Sequence, residues 1–302
     1  MASLAGGGGA AARPRPGESD ARVSARGFLL GLAVPASVAS LQQMFFDRVF
    51  MGHALFVAVV FCGAAVAVMH SQYQGRKIQT AIRAALLGDG FAMGVILVTS
   101  APSSWQAFGW YAMILCAFHY SEYLATALTN PQSVSNDSFL LNHSWAYSVA
   151  AASSWAEFWL ERALFPGLKE FSFTIGLGLL LCVSGEIIRK LAMFTARTNF
   201  NHIVQNEKRP DHQLVTHGVY SWFRHPSYVG WFWWSVGTQL ILNNPICLVG
   251  YTAASWTFFR DRVRYEEATL ISFFGHAYLE YQQRVGTGLP GIAGYQLQRR
   301  PQ

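Results

Sequence analysis

Apolar residues dominate eight stretches of the chain, at 27–46, 52–69, 81–100, 105–128, 145–160, 171–195, 228–242 and 245–260. A helix needs roughly 20 mainly apolar residues to cross the hydrocarbon of a bilayer. The first four stretches and the sixth meet that length. The fifth is short and carries Glu157, and the last two are short with only Asn243 and Asn244 between them. The pattern predicts an all-α polytopic membrane protein with about eight transmembrane helices. The last two form a tight helical hairpin, since short spans are accommodated where the bilayer thins. Polar segments at 199–226 and 260–302 flank this hairpin, which is where a soluble reactant and a lipid-borne one could meet. The expected organisation is a disordered tail at 1–26, rich in Gly, Ala and Arg; a six-helix transmembrane region at 27–195; a region at 196–291 holding the candidate chemistry, the hairpin and a C-terminal helix; and a flexible tail at 292–302.

Composition agrees with the pattern. Of 302 residues, 52% are hydrophobic and 13% charged, against about 25% charged for a soluble domain. The net charge of +6 is not gathered on one domain, so it does not imply nucleic acid. It sorts by topology instead. With the N-terminus in the cytosol, only Arg48, Arg162 and Lys169 of the 22 Lys and Arg residues fall on the far side. The positive-inside rule therefore supports eight spans with both termini cytosolic. Cys62, Cys116, Cys182 and Cys247 all lie in apolar stretches and read as small core residues, and no Cys/His spacing suits a metal. No cleaved signal peptide, prenylation box or retention signal is evident. The sequons at Asn136 and Asn142 fall in a predicted cytosolic loop, so no glycan is expected. The GxGxxG string at 286–291 follows no strand and opens no helix, so it does not read as a dinucleotide site. Gly27 and Gly31 offer a small-residue helix-packing face.

Two constellations carry candidate chemistry. The first joins His202 and Gln205 to the island LVTHGVYSWFRHPSYVG at 214–230. His202, Gln205, His225 and Tyr228 offer hydrogen-bonding groups, and Gly218, Val219 and Tyr220 offer close backbone approach. Together they suit a cofactor with amino, carboxylate, ribose and adenine parts. The second is FFRDRVRYEE at 258–267, beginning where the last apolar stretch ends. On a continuing helix Arg262 and Glu266 are i, i+4 neighbours, and Arg264 and Glu267 are i, i+3. Ionisable residues inside spans are functional candidates by default. Here they are Glu122 with His119, Glu157, and Glu186, for which Arg189 at i+3 is the expected partner.

FHYSEYLATAL (118–128), SFLLNHS (138–144), NFNHIVQNEK (199–208), GVYSWFRHPSYVGWF (218–232), NPIC (244–247) and FFRDR…EE (258–267) together closely resemble the isoprenylcysteine carboxyl methyltransferases. At Arg264-Tyr265, where acidic residues are common in that family, this chain departs from it. The resemblance implies an endoplasmic reticulum enzyme with its active site in the cytosol. It would use S-adenosylmethionine to methyl-esterify the C-terminal carboxylate of a farnesylated or geranylgeranylated cysteine in processed CaaX proteins such as small GTPases and lamins. His202, Gln205, Leu214, Gly218, Val219, Tyr220, Arg224, His225 and Tyr228 would then hold the cofactor. Arg262 and Glu266 would be catalytic, with Arg262 orienting the substrate carboxylate. Two alternatives stay open from the residues alone: an NADPH-dependent sterol reductase sharing the RHPSY-like motif, and a non-enzymatic scaffold for prenylated proteins.

Overall fold

The computed structural model describes residues 18–45, 63–141, 144–210 and 212–296. The expectations placed on the N-terminal glycine run, Arg48, Cys62, most of the second apolar stretch, Asn142 and the last six residues lie outside these. Among the described residues the chain is helical and contains no strand. The helices are α1 (Asp20–Phe45), α2 (helical over 63–72), α3 (Arg76–Ser100), α4 (Ser103–Thr129), α5 (Trp145–Leu164), α6 (Ser172–Ala196), α7 (Pro226–Leu242), α8 (Pro245–Phe274) and α9 (His276–Arg284). The chain falls into two units, 1–92 and 93–302.

In the first unit, α1 starts at Asp20, not near residue 27 as the apolar pattern implied. The extra turn is polar, so hydropathy misses it. Its ends are tied down by Glu18 pairing with Arg26 at 2.9 Å and Asp20 pairing with Arg76 at 2.7 Å. Gly27 and Gly31 of α1 meet α3 at close range. A Cβ on either would lie about 3 Å from the Cα of Ala81 or Ala85, which is the small-residue contact expected of that pair. Val23, Met69, Tyr73, Ala81 and Ala85 form the core beside it.

The second unit is organised by an α6–α7 pair that the hydropathy pattern did not reveal. A Cβ on Gly178 would sit 2.6 Å from the carbonyl oxygen of Gly237, and one on Gly185 would sit 2.5 Å from that of Gly230. Rising numbers on α6 meet falling numbers on α7, so the pair is antiparallel. In lipid, helices gain little from burying apolar surface against one another, and close packing of small residues takes over. Gly185→Leu is therefore expected to destabilise the solubilised protein by about 2 kcal/mol or more, because the backbone opposite cannot give way. Gly176→Leu on the same helix, where no described residue of another element lies within 4 Å of the added carbon, should leave the melting temperature unchanged. Equal melting temperatures for the two variants would refute the close-packed seam.

The predicted hairpin is present: α7 ends at Leu242, Asn243 takes a left-handed conformation (φ 52°), and α8 begins at Pro245. Both helix ends at this turn are satisfied from a distance. Lys169, fully buried, donates to the carbonyls of Leu242 (3.2 Å) and Asn243 (2.9 Å) and to Asn244 Oδ1 (2.9 Å), with Glu161 as counter-ion at 2.5 Å. Glu157 accepts the N–H groups of Ile246 and Cys247, both at 2.7 Å. A cation thus meets the C-terminus of α7 and an anion the N-terminus of α8, each matching the helix dipole. This explains an acidic residue in the short fifth stretch. From the turn, α8 runs unbroken for 30 residues. Its polar half is a direct extension of its apolar half, which fixes the Arg262 and Glu266 side chains relative to the hairpin.

Candidate active site

The connection between α6 and α7 carries the first constellation and folds over α8. Gly218 sits at φ 60° against the side chain of Thr195, turning the chain into a short 3₁₀ segment, Gly218–Ser221. His225 then precedes Pro226, which starts α7 where a missing N–H costs nothing. The result is a cleft of about 1190 Å³, counting its open mouth, between this connection and α8. Its lining includes nine of the eleven residues singled out from the sequence: His202, Gln205, Leu214, Tyr220, Arg224, His225, Tyr228, Arg262 and Glu266. Gly218 and Val219 do not line it. Val219 is buried and the two form the turn behind the wall. Trp231, Phe258, Phe273 and Phe274 add apolar walls that no polar motif could have revealed.

At the centre of the cleft Arg262 and Glu266 meet through a third residue. Tyr228 Oη donates to Glu266 Oε2 at 2.5 Å and accepts from Arg262 Nε at 3.1 Å. Arg262 Nη2 donates to the backbone carbonyl of His202 at 2.8 Å. Two of its three nitrogens are thus used for positioning, and Nη1 makes no hydrogen bond to a described residue. The Tyr228 ring is stacked between His225 (centroids 5.5 Å apart, planes at 3°) and Phe259 (5.2 Å), which holds its hydroxyl in place.

Two buried carboxylates support this centre from behind. Glu267, with no exposed surface, accepts from Arg224 Nε at 2.8 Å, Tyr278 Oη at 3.2 Å, Gln282 Nε2 at 2.9 Å and the backbone N–H of Tyr295 at 2.6 Å, and lies 3.1 Å from His225 Nε2. The partners expected from helix spacing are displaced here: Glu267 turns inward to Arg224, not along the surface to Arg264. Arg224 also donates to the carbonyls of Gln282, Val285 and Ala293. Residues 292–296, predicted to be part of a flexible tail, are therefore pinned against the cleft wall, and Ile292 is buried. Burial alone would raise the Glu267 carboxyl; the hydrogen bonds and charges of His225 and Arg224 outweigh it and bring the carboxyl down to about 2, from an ordinary 4.5. A depressed carboxylate stabilises the fold fully above its unfolded value, and this stabilisation is lost as pH falls from about 4.5 toward 2. Glu267→Gln is expected to lower stability by about 3 kcal/mol at neutral pH. Its melting temperature should converge on that of the unsubstituted protein as pH falls below 4.5. A gap that stays constant from pH 7 to pH 3 would refute the clasp.

The second carboxylate is Glu122 on α4, fully buried. Arg189 of α6 grips it with Nε and Nη2, both at 2.7 Å, Lys190 reaches the same oxygen as Arg189 Nε, and His202 Nε2 lies 2.9 Å from the other oxygen. The i, i+3 pairing of Arg189 with Glu186 is thus overturned. Arg189 points into the junction of α4 and α7, where the planar fork of the guanidinium matches both carboxylate oxygens. Glu186 is partly exposed and takes Lys190 at 2.9 Å and Ser121 instead. His202 is bound at both levels, its ring on Glu122 and its carbonyl on Arg262.

The donor set suits the cofactor implied by the sequence. Amide and imidazole groups at Gln205 and His202 lie in one lining with the aromatic surfaces of Phe273 and Phe274 and the carboxylate of Glu266. Polar, aromatic and anionic groups of this kind match an amino acid joined through a cationic sulfur to a nucleoside. Known proteins carry the same architecture. A family model described as the isoprenylcysteine carboxyl methyltransferase (ICMT) family matches residues 177–272. A protein-S-isoprenylcysteine O-methyltransferase from Homo sapiens is 54% identical over 286 residues, covering 95% of this chain and 98% of its own. One from Xenopus laevis is 51% identical over 282 residues, covering 92% and 97%. A solved structure of the eukaryotic intramembrane Ras methyltransferase ICMT superposes with a TM-score of 0.88 at 44% identity, covering 92% of this chain and all of that one. The helices described above are therefore those of a polytopic membrane protein. By identity along nearly its whole length, the chain belongs to the isoprenylcysteine carboxyl methyltransferase family.

Proposed function

We propose that this enzyme uses S-adenosylmethionine to methyl-esterify the C-terminal carboxylate of a farnesylated or geranylgeranylated cysteine in processed CaaX proteins, small GTPases and lamins among them. It works in the endoplasmic reticulum membrane, with both termini and the cleft facing the cytosol. The observation that carries the reading is the Arg262–Tyr228–Glu266 relay, set in a half-polar, half-aromatic cleft where α8 leaves its apolar run.

The substrate carboxylate, with a pKa near ~3.5, is already ionised at cytosolic pH, so no general base is needed. S-Adenosylmethionine, when bound, supplies an electrophilic methyl group. What remains for the protein is alignment, bringing a carboxylate oxygen to a near-attack distance of roughly 3–3.5 Å. Arg262 does this with its free Nη1, through a charge-assisted hydrogen bond. Tyr228 and the His202 carbonyl keep the guanidinium from swinging away. Glu266 repels a second anion, so it does not touch the substrate carboxylate; it orients the Tyr228 hydroxyl and offers a negative partner for a positively charged cofactor. His202, Gln205, Tyr220, His225 and Tyr228 provide the surrounding polar surface, with backbone from Leu214 and from Gly218 and Val219 behind it. Moving the isoprenoid from bilayer to the aromatic walls of the cleft gains little hydrophobic free energy, since both are apolar. Selectivity then rests on shape and on the carboxylate end.

The test is methyl transfer in membranes expressing this chain, using S-adenosylmethionine labelled in its methyl group and N-acetyl-S-farnesylcysteine as acceptor. Base-labile labelled methanol should appear only when the prenylated acceptor is present. Cofactor binding without label would mean that the acceptor is wrong.

A further inference from the structure

The two faces of α8 do different things. Phe258, Arg262, Glu266 and Thr269 line the active cleft. Val249, Ala253, Trp256, Arg260 and Arg264 lie about half a helical turn away, on the reverse face. There the helix carries an apolar groove lined by Leu248, Val249, Thr252, Ala253, Trp256 and Thr257. Trp256 also belongs to a second, polar hollow, whose other walls are Arg260, Arg264 and the segment 291–296. Groove and hollow therefore meet at Trp256, and its indole is fixed there by donating to the Pro290 carbonyl at 2.7 Å. The Arg260 guanidinium lies over the indole, 5.5 Å from the ring centroid, with Asp261 on its Nε at 2.9 Å. Arg264 is exposed and donates no hydrogen bond among the described residues.

We infer that this reverse face binds one anionic phospholipid, with an acyl chain along the groove and the phosphate held by Arg260 and Arg264. The match is one of charge and polarity in sequence along the helix: an apolar channel, then an indole, then two cations one helical turn apart. That is the order met in crossing from hydrocarbon to headgroup. A guanidinium fork suits phosphate oxygens, and two arginines outweigh the single Asp261 carboxylate. The site has a structural consequence for the enzyme. The segment that forms its outer wall also supplies the Ala293 carbonyl to Arg224 and the Tyr295 N–H to Glu267. A lipid seated there would press that segment onto the clasp behind His225. The inference rests on α8 crossing the membrane, not on the identity of the reaction, so its readout is binding.

Purified protein in mild detergent is titrated with phosphatidylserine or phosphatidylcholine of the same acyl composition, and bound lipid is counted by native mass spectrometry. The unsubstituted protein should retain one phosphatidylserine in preference to phosphatidylcholine. In Arg260→Gln/Arg264→Gln that affinity should weaken roughly 10–30-fold. Arg22→Gln/Arg284→Gln, which removes the same charge elsewhere, should bind as before. Ala253→Phe, which fills the groove and leaves both arginines, should also lose the lipid. Equal retention in the arginine variant, equal affinity for the two lipids, or full displacement by inorganic phosphate alone would each overturn the site. Methyl transfer measured alongside reports on the reaction separately: lost binding with retained transfer, or the reverse, tells the two readings apart.

Discussion

Arg262→Ala is expected to lower kcat/KM for methyl transfer by roughly 10²–10³-fold, the cost of removing one aligned charged donor from a reacting oxyanion. Binding of S-adenosylmethionine, measured by calorimetry, should persist, because His202, Gln205, Tyr220 and His225, proposed to hold it, lie on the connection between α6 and α7 and not on α8. The geometry sharpens this expectation. Arg262 is held by Tyr228 Oη and the His202 carbonyl, so the side chain is oriented before substrate arrives, and alignment is where catalysis of this kind gains its rate. Arg262→Lys keeps the charge but cannot make the same fork. It should recover only part of the loss, with kcat affected more than KM. Tyr228→Phe removes the bridge to Glu266 while leaving the ring stack, and should fall between the unsubstituted enzyme and Arg262→Ala. Full activity in Arg262→Ala would remove the residue from the mechanism and leave the relay a structural feature.

The residues of this relay were legible in the sequence because they sit in polar islands within an apolar chain. Arg262 and Glu266 share a face by spacing alone, and the island before the hairpin stands out by contrast. The third member of the relay is different: Tyr228 was visible as a candidate, but its place between Arg262 and Glu266 depends on α7 lying against α8. The all-helical membrane character and the Asn243-Asn244 turn were likewise readable, since hydropathy in a membrane chain reports directly on what lipid tolerates. What hydropathy cannot report is which face of a span meets another. Gly178, Gly185, Gly230 and Gly237 are seven residues apart on each helix, a spacing that could have shown the α6–α7 seam. Helix spacing misled for Arg189 and Glu267, because a buried carboxylate takes whichever donors the tertiary packing brings, and local i, i+3 neighbours on an exposed face contribute little.

Glu122 is where that packing can be tested most severely. Glu122→Gln is expected to destabilise the protein by about 3–5 kcal/mol, because it leaves the Arg189 guanidinium in a fully buried site without its counter-charge. Arg189→Met alone should cost a comparable amount for the mirror reason. Lys190 softens the second loss, since it reaches Glu122 as well, and it keeps Glu186 as a partner when Glu122 is gone. The double variant Glu122→Met/Arg189→Met removes both charges and replaces them with apolar volume, and it should be more stable than either single variant. The coupling between the two sites is expected to be about 2 kcal/mol or more, read from denaturation of the solubilised proteins in mixed micelles. Activity should behave differently. His202 leans on Glu122 through its ring and carries Arg262 through its carbonyl. The double variant regains stability without regaining that anchor, so its kcat should stay depressed while its melting temperature recovers. Additive single effects would show that Glu122 and Arg189 are not the coupled pair seen between α4 and α6. Activity that recovers together with stability would show that His202 does not need Glu122 to hold the cleft in register.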